Sequence, residues 1–126
     1  MNISLKAGER IFINNAVLKA DRKVRLELMN NATFLLESHF MQEEEATSPL
    51  RQLYFVAQTI MIDEAGSVRA KALFDNMLTD MFSVYRSGEV RDGLKESHRM
   101  VSERRPFEAM KLLKRLFPID DELVSR

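Results

Sequence analysis

One stretch constrains this chain more than any other: residues 48–66, SPLRQLYFVAQTIMIDEAG. Ser48 can cap a helix. Pro49 suits the first helical position, where its missing N–H costs nothing, and Gly66 suits a stop just beyond the end. Leu50, Leu53, Ala57, Ile60 and Met61 make one apolar face, and Tyr54, Phe55, Val56 and Ile62 fill much of the rest. A helix that is apolar nearly all round is buried. This one is too short and too interrupted to span a bilayer. It is therefore predicted to be a core helix that the segments before and after it cover. Arg51, Gln52 and Gln58 interrupt the apolar surface, and they are expected at its solvated edge rather than in a polar site.

The length of 126 residues suits a single domain with a real core. Two parts are predicted within it, a β-rich part over 1–42 and a helical part over 46–126. Nineteen basic residues balance nineteen acidic ones, which argues against a general nucleic-acid coat but leaves room for a local basic patch. The absence of cysteine removes disulfides, thiolate metal sites and cysteine nucleophiles, and it suits a reducing cytoplasm. The opening MNISLKAGER has neither a long apolar region nor a cleavage signature, so no export signal is expected.

The first forty residues read as strands. Residues 9–14 and 15–20 flank an Asn14-Asn15 pair, and asparagine tolerates the positive φ of a two-residue hairpin loop. That loop sets a register with Ile13 opposite Ala16, Phe12 opposite Val17, Ile11 opposite Leu18 and Arg10 opposite Lys19. Gly8 permits the turn from a short strand over 2–6. In residues 23–28, Val24, Leu26 and Leu28 alternate with Lys23, Arg25 and Glu27, so one face is buried and one wet. Asn30-Asn31 offers another turn, and a further strand is expected over 33–37. The run Glu43-Glu44-Glu45 reads as a solvated connector.

After Gly66 the pattern is helical. Ser67 is expected to cap a helix running to about Tyr85, with Ala70, Phe74, Met77, Met81 and Tyr85 inward. Val90, Leu94 and Val101 mark a third helix that is otherwise polar. Pro106 opens a fourth, with Phe107, Met110, Leu113 and Leu116 inward. Pro118 is expected to end it, leaving an acidic, frayed tail. The predicted fold class is α+β: a small N-terminal antiparallel sheet, then a bundle of about four helices.

Catalytic signals are poor. His39 and His98 are the only imidazoles, and neither stands in a spaced ligand set. No glycine-rich phosphate loop follows a strand. No enzyme, cofactor or metal is expected.

Two basic clusters carry the functional reading. The first is Arg10, Lys19, Arg22, Lys23 and Arg25. The register sets Arg10 against Lys19, and like charges directly opposite are destabilising. With Phe12 and Val17 beside them, this face has the charge and flat ring that single-stranded RNA needs. Against that, Glu9, Asp21 and Glu27 can neutralise the charges locally, and Phe12 can be core. The second cluster lies over residues 86–115, with nine basic and five acidic residues. Arg91, Lys95 and Arg99 recur every four residues and so share a helix face that can follow a phosphate backbone. The competing reading is an exposed helix laced with ion pairs.

Three stretches carry a family resemblance. LKAGERIFINNAVLKADRKV (5–24) resembles the opening of the flagellum biosynthesis repressor FlbT family, SPLRQLYFVAQTIMI (48–62) is similar to its central helix, and RPFEAMKLLKRLFPID (105–120) resembles its C-terminal segment. The resemblance implies a cytoplasmic, post-transcriptional regulator of flagellin synthesis. Such a regulator associates with the 5′ untranslated region of flagellin mRNA and represses translation or promotes decay. It adds weight to the two basic clusters as RNA contacts, with the flagellin mRNA leader as partner and no membrane. The alternative is a protein-binding adaptor or chaperone-like module. Helices rich in Met and Phe, eight of each in the chain, can form adaptable grooves for flagellin or the companion regulator FlaF. A ribonuclease would explain decay directly but lacks an acid–base pair. Self-association is compatible with either reading.

Overall fold

The computed structural model describes residues 1–13, 16–30, 32–63 and 65–124. The architecture is α+β, and the chain divides into two compact units, Met1–Phe40 and Met41–Arg126.

The first unit holds five strands: β1 (Asn2–Leu5), β2 (Arg10–Ile13), β3 (Ala16–Lys19), β4 (Val24–Glu27) and β5 (Phe34–Leu36). They form two sheets where one was expected: β1 pairs with β4, and β2 lies between β3 and β5, every pairing antiparallel. A single sheet of such short strands leaves an apolar face bare, whereas two sheets can cover each other. Ile3, Leu5, Val24 and Leu26 of one sheet share a core with Ile11, Ile13, Phe34 and Leu36 of the other. The β2–β3 register is the predicted one at all four positions, Arg10 against Lys19 included. The hairpin asparagines Asn14 and Asn15, like Asn31 of the second predicted turn, lie outside the described residues.

Gly8 earns its place through backbone geometry. Its φ of 82° belongs to a turn in which the Glu9 N–H reaches the Lys6 carbonyl at 3.0 Å. Gly8 N–H then donates to the Ala20 carbonyl (2.7 Å), and Ala20 N–H donates to that of Glu9 (3.0 Å). Two residues oppose one, a bulge of the kind that calls for glycine in the left-handed region.

The second unit holds α1 (Pro49–Ile62), α2 (Ser67–Val84), α3 (Gly88–Ser102) and α4 (Pro106–Val124). The Ser48 hydroxyl accepts from Arg51 N–H at 3.2 Å, as its capping role predicts. Leu50, Leu53, Tyr54, Val56, Ala57 and Ile60 are all buried. At roughly 1.5–3 kcal/mol for each large apolar side chain removed from water, α1 alone supplies a sizeable part of the core. It packs against α2 and α4, while α3 packs against α2 and α4. A Cβ on Gly93 would meet Leu116 Cδ1 at 2.5 Å, so this glycine sets the close approach of α3 to α4.

Three sequence expectations change here. Gly66 does not stop α1, which ends at Asp63, its N–H reaching the Thr59 carbonyl at 2.9 Å. Gly66 instead is the N-cap of α2 in place of the predicted Ser67, which is the first helical residue, and Asp63 Oδ1 accepts the Gly66 N–H at 3.1 Å. Of the polar residues of α1, Gln52 is exposed as expected, but Gln58 and Arg51 are not simply solvated. Gln58 is 2% exposed and both ends of its amide are engaged: Nε2 donates to the Met41 carbonyl (2.9 Å) and Oε1 accepts from Met41 N–H (2.7 Å). Arg51 pairs with Asp121 (2.7 and 2.9 Å) and lies 4.6 Å from the Phe117 ring centroid.

Those contacts explain the third change. Pro118 lies inside α4 rather than at its end. An interior proline removes one helical hydrogen bond and crowds the preceding turn, at about 3 kcal/mol. Tertiary anchors offset it: Asp121 is bound by Arg51, and buried Asp120 accepts from the Tyr85 hydroxyl at 2.7 Å. Residues 119–124 of the predicted frayed tail are helical and docked through Asp120 and Asp121, while Ser125 and Arg126 lie outside the described residues.

Candidate nucleic-acid interface

The cations of the first cluster are set out by β2, β3, the link after it, and β4. Arg10 on β2 is the most committed of them. Its Nε donates to Glu37 Oε1 at 2.8 Å, its backbone N–H donates to Oε2 at 3.1 Å, and its guanidinium stands 5.9 Å from the Phe12 ring centroid. The hydrogen bonds from the Arg10 backbone and side chain hold the Glu37 carboxyl below the usual carboxylate range, and the Lys19 charge acts in the same direction. Glu37 therefore offsets the Arg10–Lys19 repulsion that the register creates. It was legible in principle: β5 pairs Leu36 with Ile11, so the next step along both strands brings Glu37 to Arg10.

Phe12 is not offered to a base. It is buried and stacked on Phe40, with centroids 3.8 Å apart and planes within 6°. The aromatic half of the RNA-binding pattern on this face is thus internal packing.

The remaining cations of the cluster are exposed. Arg22 pairs with its neighbour Asp21 at 3.2 Å, an open surface contact of little strength. Lys19 ends β3, and Arg25 lies on the wet face of β4 opposite Ser4. Lys19, Lys23 and Arg25 make no ion pair or side-chain hydrogen bond among the described residues. Residues 19–25 thus present four cations against the single carboxylate of Asp21.

The helix cluster is different. Arg91 turns back to the end of α2, donating to the Phe82 carbonyl and, at 3.2 Å, to that of Tyr85. It satisfies carbonyls that a helix end leaves without partners. Arg99 is held between Glu96 and Glu103, whose carboxylates raise its pKa further. Lys95 alone of the three is exposed without an ion pair among the described residues. Arg105 is tied to Glu103 and Glu108, and Lys111 lies 5.4 Å from the Phe107 ring centroid. The four-residue spacing places Arg91, Lys95 and Arg99 on one helix, but two of the three charges are already answered.

The histidines do not converge. His39 stands in a short 3-10 turn over Glu37–His39, and His98 Nε2 lies 3.3 Å from Asp75 Oδ1. Among the described residues no group of three His, Cys, Asp or Glu side chains could hold a metal, and no helix is long and apolar enough to cross a membrane.

One apolar groove was not foreseen. Phe55, Val56 and Thr59 of α1 face Gly66, Arg69, Ala70 and Leu73 across a space of about 280 Å³. None of the eight methionines lines it, and Met41, Met81 and Met110 are core residues.

Sequence comparison bears on both units together. The family model described as Flagellar protein FlbT matches residues 1–124. A Rhizobium johnstonii protein named probable flagellum biosynthesis repressor protein FlbT is 50% identical over 125 residues, which cover 99% of this chain and 84% of that one. Proteins of the same name from Brucella abortus and Brucella ovis are also 50% identical, over 99% of this chain and 82% of theirs. No solved structure matches. With the match running from the first strand to the last helix, this chain belongs to the FlbT family of flagellar proteins.

Proposed function

We propose that this protein is a cytoplasmic post-transcriptional regulator of flagellin synthesis. In this reading it contacts the 5′ untranslated region of flagellin mRNA and represses translation or promotes decay. The observation that supports it best is the run at residues 19–25, where Lys19, Arg22, Lys23 and Arg25 are exposed and Asp21 is the single acidic residue of the run. Phosphate recognition needs cations whose charge is not already spent internally. By that criterion Arg10, Arg91 and Arg99 are secondary, and Lys95 is an isolated contact. The repressor name carried by the relatives supports the regulatory role. The burial of Phe12 makes the contact one of charge rather than base stacking.

A second reading is favoured by one observation. The α1–α2 groove is apolar and rimmed by Arg69, which suits an adaptor that takes an apolar segment of flagellin or a companion regulator. The two readings separate in one titration of purified protein with flagellin leader RNA, run with and without purified flagellin. Binding without flagellin supports direct contact. Binding only in its presence supports the adaptor.

A further inference from the structure

We infer that two copies of this chain pair edge to edge through β3, antiparallel and about a twofold axis at Leu18. Strand β3 is the terminal strand of its sheet, and among the described residues nothing pairs with its outer side. All four of its residues are exposed, with Val17 at 58% and Leu18 at 49%. These two apolar side chains point to opposite faces, so no single covering surface would bury both. A neighbouring strand would, because it flanks both faces of the edge. The edge lacks proline or a bulge of its own, and Lys19 is its single charged guard.

The hydrogen-bond phase selects the register. Ala20 exchanges main-chain bonds with the Gly8–Glu9 bulge. Alternation then turns the main-chain groups of Leu18 toward β2 and those of Val17 and Lys19 outward. An antiparallel copy centred on Leu18 sets Val17 against the other copy's Lys19, and Lys19 against its Val17. Both outward residues find partners at once. The two Leu18 side chains meet across the axis, and each Lys19 lays its aliphatic stem along a valine instead of facing another lysine. The chain's own edge is thus complementary to itself. Four-residue strands bury less than the roughly 1,200–2,000 Å² of a standard stable interface, so the pairing depends on concentration. It stands independently of the RNA reading, since it rests on main-chain phase and apolar exposure.

The chain has no cysteine, which makes cross-linking a clean test. In this register the two Leu18 Cα atoms lie about 4.5 Å apart, within the roughly 4.4–6.8 Å that a disulfide spans. Leu18→Cys should form a covalent dimer under mild oxidation. Leu73→Cys, on the equally exposed side chain of α2, should not. In sedimentation equilibrium the wild-type mass should rise toward twice the monomer's between low and high micromolar concentration, and Leu18→Lys should suppress the rise. Cross-linking through Leu18→Cys reads out the edge even if the lysine variant misfolds. The inference is overturned if the wild-type protein stays monomeric throughout, as it would if the edge served a strand of another protein. It is equally overturned if the two cysteine variants cross-link alike, or if a folded Leu18→Lys protein dimerises undiminished.

Discussion

The Tyr85 hydroxyl donates to Asp120 Oδ1 at 2.7 Å in the interior of the helical unit, joining the end of α2 to the turn of α4 that follows Pro118. Asp120 is buried, and its second oxygen has no hydrogen-bond partner among the described residues. Among the described residues, the Tyr85 hydroxyl is the side-chain hydrogen-bond donor to this carboxyl group. Tyr85→Phe should destabilise the protein by about 1–3 kcal/mol, the cost of leaving a buried polar group without its partner. That corresponds to a melting temperature lower by roughly 4–11 °C in a domain of this size. A melting temperature unchanged by the substitution would show that Asp120 is satisfied by other means.

Pro118 supplies the second prediction. It is exposed on α4 and contributes an interrupted helical turn. Pro118→Ala restores a donor and removes the clash, gains partly offset by a more flexible unfolded chain. Urea unfolding should show a net stabilisation of about 1–2 kcal/mol. A loss instead would mean that the proline bend is what seats Asp120 and Asp121 against Tyr85 and Arg51.

Stability should change at both ends of the pH scale. Glu37 and Asp121 are held below the usual carboxylate range by Arg10 and Arg51 respectively. Their contributions are present above the ordinary carboxylate pKa and lost as pH falls through the depressed folded values, and both are small because the groups are exposed. On the alkaline side, burial pushes the Tyr54 hydroxyl up to about 12, from an ordinary 10.0. Burial and the bond to Asp120 raise Tyr85 as well. For an acid whose folded pKa is raised, the stabilising contribution is complete below the unfolded value and is lost as pH rises toward the folded one. Urea midpoints should therefore hold between neutral pH and about 10 and fall steeply toward 12, with tyrosinate absorbance rising in step. A tyrosinate signal already complete near pH 10 in the folded protein would contradict this.

What the sequence made legible was local. The cap at Ser48, the inward faces of the helices and the whole β2–β3 register follow from neighbours a few residues apart. What it hid was settled across long separations. Gln58 reads as a polar break on an apolar helix until its partner, the main chain of Met41, is in view. Pro118 reads as a stop because local rules know nothing of Arg51, seventy residues earlier, waiting for Asp121. The candidate interface divides along the same line. The clustering of Lys19, Arg22, Lys23 and Arg25 is visible in the sequence. That Arg91 and Arg99 are occupied by the end of α2 and by Glu96 and Glu103 depends on where each side chain turns.

The central claim is direct contact with flagellin leader RNA through residues 19–25. The measurement that tests it most directly is the salt dependence of that binding for the wild-type protein and for the combined Lys19→Ala, Arg22→Ala, Lys23→Ala, Arg25→Ala variant. Each phosphate neutralised on a single strand contributes about −0.7 to the log–log slope, so four contacts predict a slope of about −2 to −3. The variant should bind more weakly with a slope near zero and an unchanged melting temperature, since none of the four side chains supports the core. A wild-type protein with no salt-dependent RNA affinity, or a variant that keeps the wild-type slope, would contradict the claim.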